Sequence, residues 1–247
     1  MILALDCGNT MIKVGVYEGK TLKSHFKIRS DRNKSYDEYA IMFKNYISEK
    51  IDGAIISSVV PILTDICVLI IKNLYDVEPL IVGKGIKTKM SIKIDNPSEL
   101  GSDMLCGAIG AFSKYNEPLL VADLGTATKI YVVDKNKSFI GGIITAGMES
   151  SLKGLVGSTS LLHEVSFNLP SKIICKNTKD CIQSGIINSQ IFAIKEFAKE
   201  MEKELGYSLK KVISGGFSEV IKEKLPEFDY IEHVVLDGLV EVYYANK

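Results

Sequence analysis

The sequence lacks an excess of charge of either sign, and it lacks a long apolar run. Among its 247 residues, 30 acidic side chains balance 30 basic ones, so the formal net charge is zero. A broad surface for nucleic acid or for an anionic membrane is therefore not expected. No apolar stretch approaches the roughly 20 residues that span a bilayer, and no basic segment precedes the first strand. The pattern predicts a cytoplasmic protein without a signal peptide.

Cysteine and histidine are few, and their spacing indicates no metal site. The five cysteines form no Cys-x-x-Cys pair and are odd in number, so neither a disulfide framework nor a zinc site is expected. His25, His163 and His233 show neither metal-ligand spacing nor the context of a catalytic triad. The phosphate-binding sequences Gly-x-x-x-x-Gly-Lys and Gly-x-Gly-x-x-Gly are missing as well.

What the sequence does contain begins at its second residue. An apolar strand at residues 2–5 ends in a polar turn at residues 6–10, and a second strand follows at residues 12–17. The turn has a structural explanation, because Asn and Gly are favoured where φ is positive. It also has a functional one, because a carboxylate, a glycine, an amide, a hydroxyl and an ammonium can together hold a phosphate and its metal ion. The residues concerned are Asp6, Gly8, Asn9, Thr10 and Lys13.

A second copy of this hairpin favours the functional explanation. Residues 119–122 form an apolar run, Asp123-Leu124-Gly125-Thr126 follows it, and a strand continues to residue 134. Repetition at this distance indicates a duplicated domain, with residues 1–117 in the first copy and residues 118–247 in the second. Two such domains facing each other would direct both turns into one cleft. This pattern resembles that of the actin-like, sugar-kinase-like ATPase superfamily.

Strands and helices alternate along the rest of the chain. Helical periodicity predicts helices at residues 35–50, 62–75, 104–115 and 179–205 and at the carboxyl end, with strands between them. The alternation predicts an α/β fold, and the opening hairpin makes the sheet a mixed one. The superfamily resemblance implies two duplicated RNase H-like domains, each a mixed sheet flanked by helices, with a cleft between them.

Two further sites can serve phosphoryl transfer. Asp103 stands at a predicted helix start, where it is either an N-cap or a general base for a hydroxyl nucleophile. Gly215 and Gly216 end a predicted strand, where an adenine or a ribose can lie against bare backbone. Together with the two Asp-x-Gly turns, these residues suggest phosphoryl transfer from ATP, a reaction that depends more on positioning and charge than on covalent chemistry.

The chain also resembles one family, the type III pantothenate kinases, which catalyse the first step of coenzyme A biosynthesis in many bacteria. The resemblance runs from end to end and rests on motifs in a fixed order. They are Asp6-Cys7-Gly8-Asn9-Thr10, Ser57-Ser58-Val59-Val60-Pro61, Asn96-Pro97, Gly101-Ser102-Asp103, Asp123-Leu124-Gly125-Thr126-Ala127-Thr128, Gly141-Gly142 with Gly147, Asn177-Thr178 and Leu236-Asp237-Gly238-Leu239.

This resemblance implies a role for each matching residue. Residues 6–13 would form the first phosphate loop, and Thr126 would contact ATP, which the family uses with Mg²⁺. Asp123 would hold a monovalent cation, potassium or ammonium, and Asp103 would take the proton from the primary hydroxyl of pantothenate. The family also forms homodimers with the pantothenate pocket at the subunit interface. The pantothenate contacts would come from Gly101, Ser102, Asp103, Met104 and Thr178.

Three positions depart from the family pattern. Met104 stands where the family usually has Arg, Ile94 where an aromatic residue is common, and Ala146-Gly147 where Pro-Gly is usual. An Arg would pair with the pantothenate carboxylate, and losing that contact costs about 1.5–3 kcal/mol, roughly ten- to a hundredfold in binding. Three hypotheses remain: a pantothenate kinase in which a lysine substitutes, a kinase of the same fold for another small hydroxyl compound, and a nucleotide-binding regulator without turnover.

Overall fold

A computed structural model describes residues 1–83, 85–157 and 166–247 of the protein, so His163 lies outside the described residues. The chain divides into two compact units. The first consists of Met1–Lys114 and His233–Lys247, and the second of Tyr115–Glu232. Within the described ranges, no helix is both long enough and apolar enough to cross a bilayer.

Strands and helices alternate through both units, as the sequence pattern predicts. The strands are β1 (Ile2–Cys7), β2 (Met11–Glu18), β3 (Thr21–Arg29), β4 (Gly53–Ser58), β5 (Leu80–Ile81), β6 (Ser91–Ile92), β7 (Leu119–Leu124), β8 (Ala127–Val133), β9 (Ser138–Ala146), β10 (Lys210–Ser214) and β11 (Asp229–Tyr230). The α-helices are α1 (Tyr36–Tyr46), α2 (Pro61–Tyr75), α3 (Ser102–Tyr115), α4 (Met148–Gly157), α5 (Thr178–Leu205), α6 (Ser218–Ile221) and α7 (Val234–Ala245). Short 3₁₀ turns lie at Pro97–Glu99 and Lys222–Lys224.

The first unit is built on a mixed sheet with the strand order β3-β2-β1-β4-β5. β1, β2 and β3 pair antiparallel, whereas β1, β4 and β5 pair parallel. Every residue of β1 is buried, which its continuous apolar run predicts for a central strand. The parallel pairing brings the carboxyl ends of β1 and β4 to the same edge of the sheet.

The ends of several helices follow directly from their sequences. Ser35 and Glu38 form the predicted capping box at the start of α1, and Pro61 is the first residue of α2. Asn177 caps α5, and Gly206 ends that helix in the left-handed region at φ +73°. These local signals predict where the helices begin and end, but not what the helices pack against.

The last helix, α7, belongs to the first unit, whereas the sequence-based division assigns residues 118–247 to the second domain. Most of its apolar side chains are buried. The backbones of α3 and α7 touch at two glycines, because a Cβ on Gly110 would overlap the Val234 carbonyl oxygen and one on Gly238 would overlap that of Cys106. Glycine at both positions therefore permits a close helix crossing on the first sheet.

The second unit repeats the plan of the first. Its strands lie in the order β11-β10-β7-β8-β9. β7, β8 and β9 pair antiparallel, whereas β7, β10 and β11 pair parallel. β7 thus corresponds to β1, and the β7–β8 hairpin corresponds to the β1–β2 hairpin. The predicted fold of two duplicated mixed α/β units is confirmed.

Candidate functional site

The carboxyl ends of β1 and β4 form the candidate site of the first unit. In their parallel pairing, Asp6 lies beside Ser57 and Cys7 lies beside Ser58. The Ser57 Oγ donates to the Ser102 Oγ at 2.9 Å, and the Ser102 Oγ donates to the Ser58 carbonyl oxygen at 3.3 Å. Since Ser102 is the first residue of α3, these bonds fix the start of α3 against the strand end that carries Asp6. Ligands of open α/β sheets bind at this end of the strands.

Asp6 is paired with a lysine on the neighbouring strand. Asp6 and Lys13 are opposite each other in the β1–β2 pair, and the Lys13 Nζ lies 3.3 Å from the Asp6 Oδ2. Asp6 is only 5% exposed, whereas 32% of the Lys13 side chain is exposed. The buried carboxylate therefore has a compensating charge nearby. The ammonium keeps enough access to solvent to reach an anionic oxygen of a ligand.

The turn between β1 and β2 is held by hydrogen bonds from within and from the segment after β3. The Gly8 N–H donates to the Met11 carbonyl oxygen at 3.0 Å, and the Ser30 Oγ donates to the Gly8 carbonyl oxygen at 2.7 Å. Gly8 does not adopt a positive φ, so its amide closes the hairpin in an ordinary conformation. The Arg32 Nη2 donates to the Asn9 Oδ1 at 3.2 Å, which places a second cation beside the turn.

Asp103 lies in the first turn of α3, one residue inside the helix, so it is not the N-cap. Its Oδ1 accepts a hydrogen bond of 2.8 Å from the Met104 N–H. A Cβ on Gly101 would lie 2.6 Å from the same oxygen. The carboxylate therefore folds back over Gly101, and a side chain at this position would displace it. Asp103 remains partly exposed, so the carboxylate is oriented by its surroundings without being enclosed.

Met104 is buried, and Cys106 lies near the carboxylates of Asp6 and Asp103. Met104 is only 8% exposed, and it carries no charge for an anionic substrate group. Burial raises the pKa of the Cys106 thiol, and the charges of Asp6 and Asp103 raise it further. The thiol is therefore neutral and offers no nucleophile.

The hairpin of the second unit repeats the acid–base pair of the first at shorter range. Asp123 and Lys129 are opposite each other in the β7–β8 pair, and the Lys129 Nζ lies 2.9 Å from the Asp123 Oδ2. Asp123 is 5% exposed, and 16% of the Lys129 side chain is exposed. The Gly125 N–H closes this turn on the Ala127 carbonyl oxygen at 3.1 Å. The sequence predicts a bound cation at Asp123, and the structure places the Lys129 ammonium at that carboxylate.

The two glycines after β10 have different surroundings. Gly215 adopts a φ of +97°, and a Cβ there would lie 2.5 Å from the Leu124 backbone nitrogen and oxygen and 2.6 Å from the Asp123 Oδ1. Gly215 is thus required by its packing against β7. Gly216 has no heavy atom within 4 Å of where its Cβ would be, so its backbone is open, and its role as a nucleotide contact stays a prediction.

The two other predicted site residues of the second unit, Thr126 and Thr178, lie where the backbone is fixed by hydrogen bonds or by a helix start. The Thr126 carbonyl oxygen accepts hydrogen bonds from the Gly147 N–H at 3.2 Å and from the Ser150 Oγ at 2.7 Å. These bonds tie the second turn to the start of α4. Thr178 is the first residue of α5, directly after the N-cap Asn177.

Sequence reasoning missed Arg32, Lys129 and the hydrogen bond between Ser57 and Ser102, although both serines lie in motifs of the family resemblance. Lys129 is equivalent to Lys13 opposite the aspartate of the first hairpin, but the second turn is one residue shorter, so the equivalence shows only in the strand register. The serine contact carried no local signal, since its partners are 45 residues apart.

A cavity of about 330 Å³ in the first unit lies away from the candidate site. Gly53 begins β4 and lines the cavity, whereas Ser57 and Ser58 end that strand. The cavity therefore sits at the opposite end of β4. Its other lining residues include Asp52, Asp76, Glu78, Tyr243 and Asn246.

Solved structures similar to this chain share its fold. A candidate Baf family transcriptional activator of Campylobacter jejuni superposes with a TM-score of 0.63 at 16% identity, covering 99% of this chain and 98% of the other. Component A of the Acidaminococcus fermentans (R)-2-hydroxyglutaryl-CoA dehydratase gives 0.55 at 13% identity, covering 98% and 96%. A candidate N-acetylglucosamine kinase of Porphyromonas gingivalis gives 0.51 at 12% identity, covering 100% and 99%. The shared fold is that of the actin-like ATPases.

A family relationship comes from the sequence itself. The family model of type III pantothenate kinase matches residues 2–200. The match includes both Asp-x-Gly hairpins, the start of α3 and the start of α5. The chain belongs to the type III pantothenate kinase family.

Proposed function

We propose that this protein transfers the terminal phosphate of ATP to the primary hydroxyl of pantothenate, giving 4′-phosphopantothenate and ADP. Family membership supports this reaction. The observation that carries the proposal is the Ser57–Ser102 hydrogen bond of 2.9 Å. It joins the end of β4, which lies beside Asp6 at the end of β1, to the helix start that holds Asp103. Lys13 on β2 pairs with Asp6, so a phosphate-binding group and a base belong to one anchored edge of the first unit.

Asp103 acts as the base in this proposal. It accepts the proton that the hydroxyl loses as the oxygen–phosphorus bond forms and the bond to ADP breaks. Phosphoryl transfer passes through a loose transition state, so the base must mainly orient the hydroxyl. The 2.8 Å bond from the Met104 N–H to the Asp103 Oδ1 supports that role, because it fixes the carboxylate.

ATP would be held by residues from both hairpins. Lys13, Asn9 and Thr10 would contact its phosphates, with Gly8 shaping the turn, and Asp6 would hold Mg²⁺ through water. Bound Mg²⁺ neutralises charge on the transferred phosphate. The contacts proposed for the second unit are Thr126 and Gly216, whereas Gly215 leaves the room that the Asp123 carboxylate needs.

The residues assigned to the acceptor carry no positive charge. Gly101, Ser102 and Thr178 would contact pantothenate, but Met104 is buried and uncharged, so it cannot pair with the pantothenate carboxylate. This observation favours a second candidate, a kinase whose acceptor is a small hydroxyl compound without that carboxylate. The two candidates share ATP, Mg²⁺ and Asp103, and they differ in the charge of the acceptor. We further propose a homodimer, as in the family, which sedimentation of the purified protein would test.

The experiment is ATP-dependent phosphorylation with Mg²⁺, following ADP release and product mass. Pantothenate is compared with its uncharged alcohol analogue. A 4′-phosphopantothenate product with pantothenate preferred supports the first candidate, whereas preference for the alcohol supports the second.

Asp103→Asn tests whether the protein is an enzyme that uses this base. We expect kcat to fall by about 10²- to 10⁴-fold, the usual contribution of a positioned base, while ATP affinity stays unchanged. Full activity of the variant would rule out Asp103 as the base. ATP binding without phosphorylation of any hydroxyl acceptor would instead point to a regulator.

A further inference from the structure

Of the two ion pairs at the hairpins, the Asp123–Lys129 pair has the shorter contact and the more buried lysine. Its 2.9 Å distance is shorter than the 3.3 Å of Asp6–Lys13, and its lysine is half as exposed. β8 is also locked beside it. The Thr128 Oγ1 donates to the Gln190 Oε1 at 2.7 Å, and the Gln190 Nε2 donates to the Ala146 carbonyl oxygen at 3.0 Å. Lys129 follows Thr128 on this strand, so its backbone is held in place, and the contact with Asp123 orients its ammonium.

A monovalent cation, which the family resemblance implies at Asp123, does not fit this arrangement. The Oδ2 of Asp123 is in contact with the Lys129 ammonium, and its Oδ1 packs against Gly215 so closely that a Cβ there would be 2.6 Å away. A potassium ion on this carboxylate would lie beside an ammonium of the same charge in a buried setting, where like charges repel strongly. Potassium and ammonium carry the same charge as the lysine side chain.

We propose that the Lys129 ammonium supplies, from within the chain, the positive charge that its family takes from potassium or ammonium. ATP binding and turnover then need no monovalent cation. The inference rests on the proposed function for the phosphate-binding role of this hairpin, but not for the identity of the acceptor. Lys129 is a positioning residue in this account, since it acts through Asp123.

The first test uses the unaltered protein. The affinity for Mg²⁺–ATP is measured by calorimetry in potassium, ammonium, sodium and tetramethylammonium chloride at equal ionic strength. We expect the four dissociation constants to agree within about twofold. An affinity that rises about tenfold or more in potassium would overturn the inference.

The second test uses Lys129→Met, which removes the charge at similar length. Its ATP affinity should fall by about tenfold or more in tetramethylammonium and recover in potassium or ammonium. Potassium should also raise the unfolding temperature of this variant but not that of the unaltered protein. Lys135→Met is the matched control, because Lys135 is exposed in the turn after β8, and it should show neither effect. A Lys129→Met protein that binds ATP normally in all four salts contradicts the inference.

These measurements separate the inference from the proposed function. Cation-independent ATP binding without phosphorylation of pantothenate supports the role of Lys129 and rules out pantothenate as the acceptor. Phosphorylation of pantothenate that requires potassium supports pantothenate as the acceptor and rules out the role of Lys129. Absence of ATP binding in every salt overturns both. Should Lys129→Met fail to fold, the cation series on the unaltered protein still decides the question.

Discussion

Replacing Gly101 with alanine should damage catalysis far more than folding. A Cβ at this position would lie 2.6 Å from the Asp103 Oδ1, whereas ordinary contact begins near 3.4 Å, so the oxygen must retreat by about 0.8 Å. The backbone of Gly101 has no positive φ that would exclude alanine. The group that has to move is the tip of a side chain, and its movement disturbs the 2.8 Å bond that it accepts from the Met104 N–H.

The two consequences differ in size. Weakening one hydrogen bond costs about 1 kcal/mol of folding stability, which lowers the unfolding temperature by roughly 2–4 °C in a protein of this size. Misplacing a catalytic group by about 1 Å costs about 10²-fold in rate. We therefore expect kcat of Gly101→Ala to fall by about that factor, with ATP affinity unchanged.

The assay measures kcat with both substrates saturating, alongside calorimetric unfolding. Gly83→Ala is the matched control in the same unit, because no heavy atom lies within 4 Å of its would-be Cβ, and it should leave kcat unaltered. An unchanged kcat in Gly101→Ala would refute the idea that the position of the Asp103 carboxylate matters. A loss of ATP affinity equal to the loss of kcat would point to a general distortion of the site.

Two further predictions concern stability. Gly238→Ala places a Cβ against the Cys106 carbonyl oxygen and should lower the free energy of unfolding by about 1–3 kcal/mol. Gly185→Ala, on the exposed face of α5, should raise it by about 0.5–1 kcal/mol. Urea unfolding compares the two variants, and equal effects would contradict the close helix crossing. Burial raises the pKa of Asp237 above its ordinary 3.8, so the folded state binds this proton more tightly and loses stability as the pH rises from 3.8 through the raised pKa. Asp237→Asn, which can still accept from the Tyr17 hydroxyl, should therefore gain stability relative to the unaltered protein between about pH 4 and pH 7; a relative loss over that range would contradict the assignment.

The architecture was largely predictable because its signals are local and repeated. Two apolar strands that each end in Asp-x-Gly indicate the duplicated hairpins, and capping residues such as Ser35 and Asn177 mark helix starts. The position of α7 was not predictable in the same way. Its apolar residues show that the helix is buried, but they do not say on which sheet, and the decisive contact joins Gly110 to the distant Gly238.

Single residues of the candidate site could be predicted from the sequence, whereas contacts between two residues could not. Asp6, Asp103 and Asp123 stand at strand ends or a helix start, which the sequence reveals. Lys129 becomes visible only when the two hairpins are aligned through their strand register, and the second turn is one residue shorter than the first. Gly215 shows the opposite problem, because the sequence suggested an open nucleotide contact and the structure shows packing against β7.

The return of α7 to the first sheet makes residues 115–232 an insertion between two parts of one unit. Synthesis proceeds from the amino end, so the ribosome releases the first sheet early and its last helix after the whole second unit. The second unit is continuous and can complete its core first. Until α7 arrives, the surface of α3 around Gly110 lacks its covering. Formation of the edge that carries Asp6 and Asp103 therefore depends on residues 233–247, and a nascent protein halted before residue 233 holds Asp103 on an unfinished scaffold.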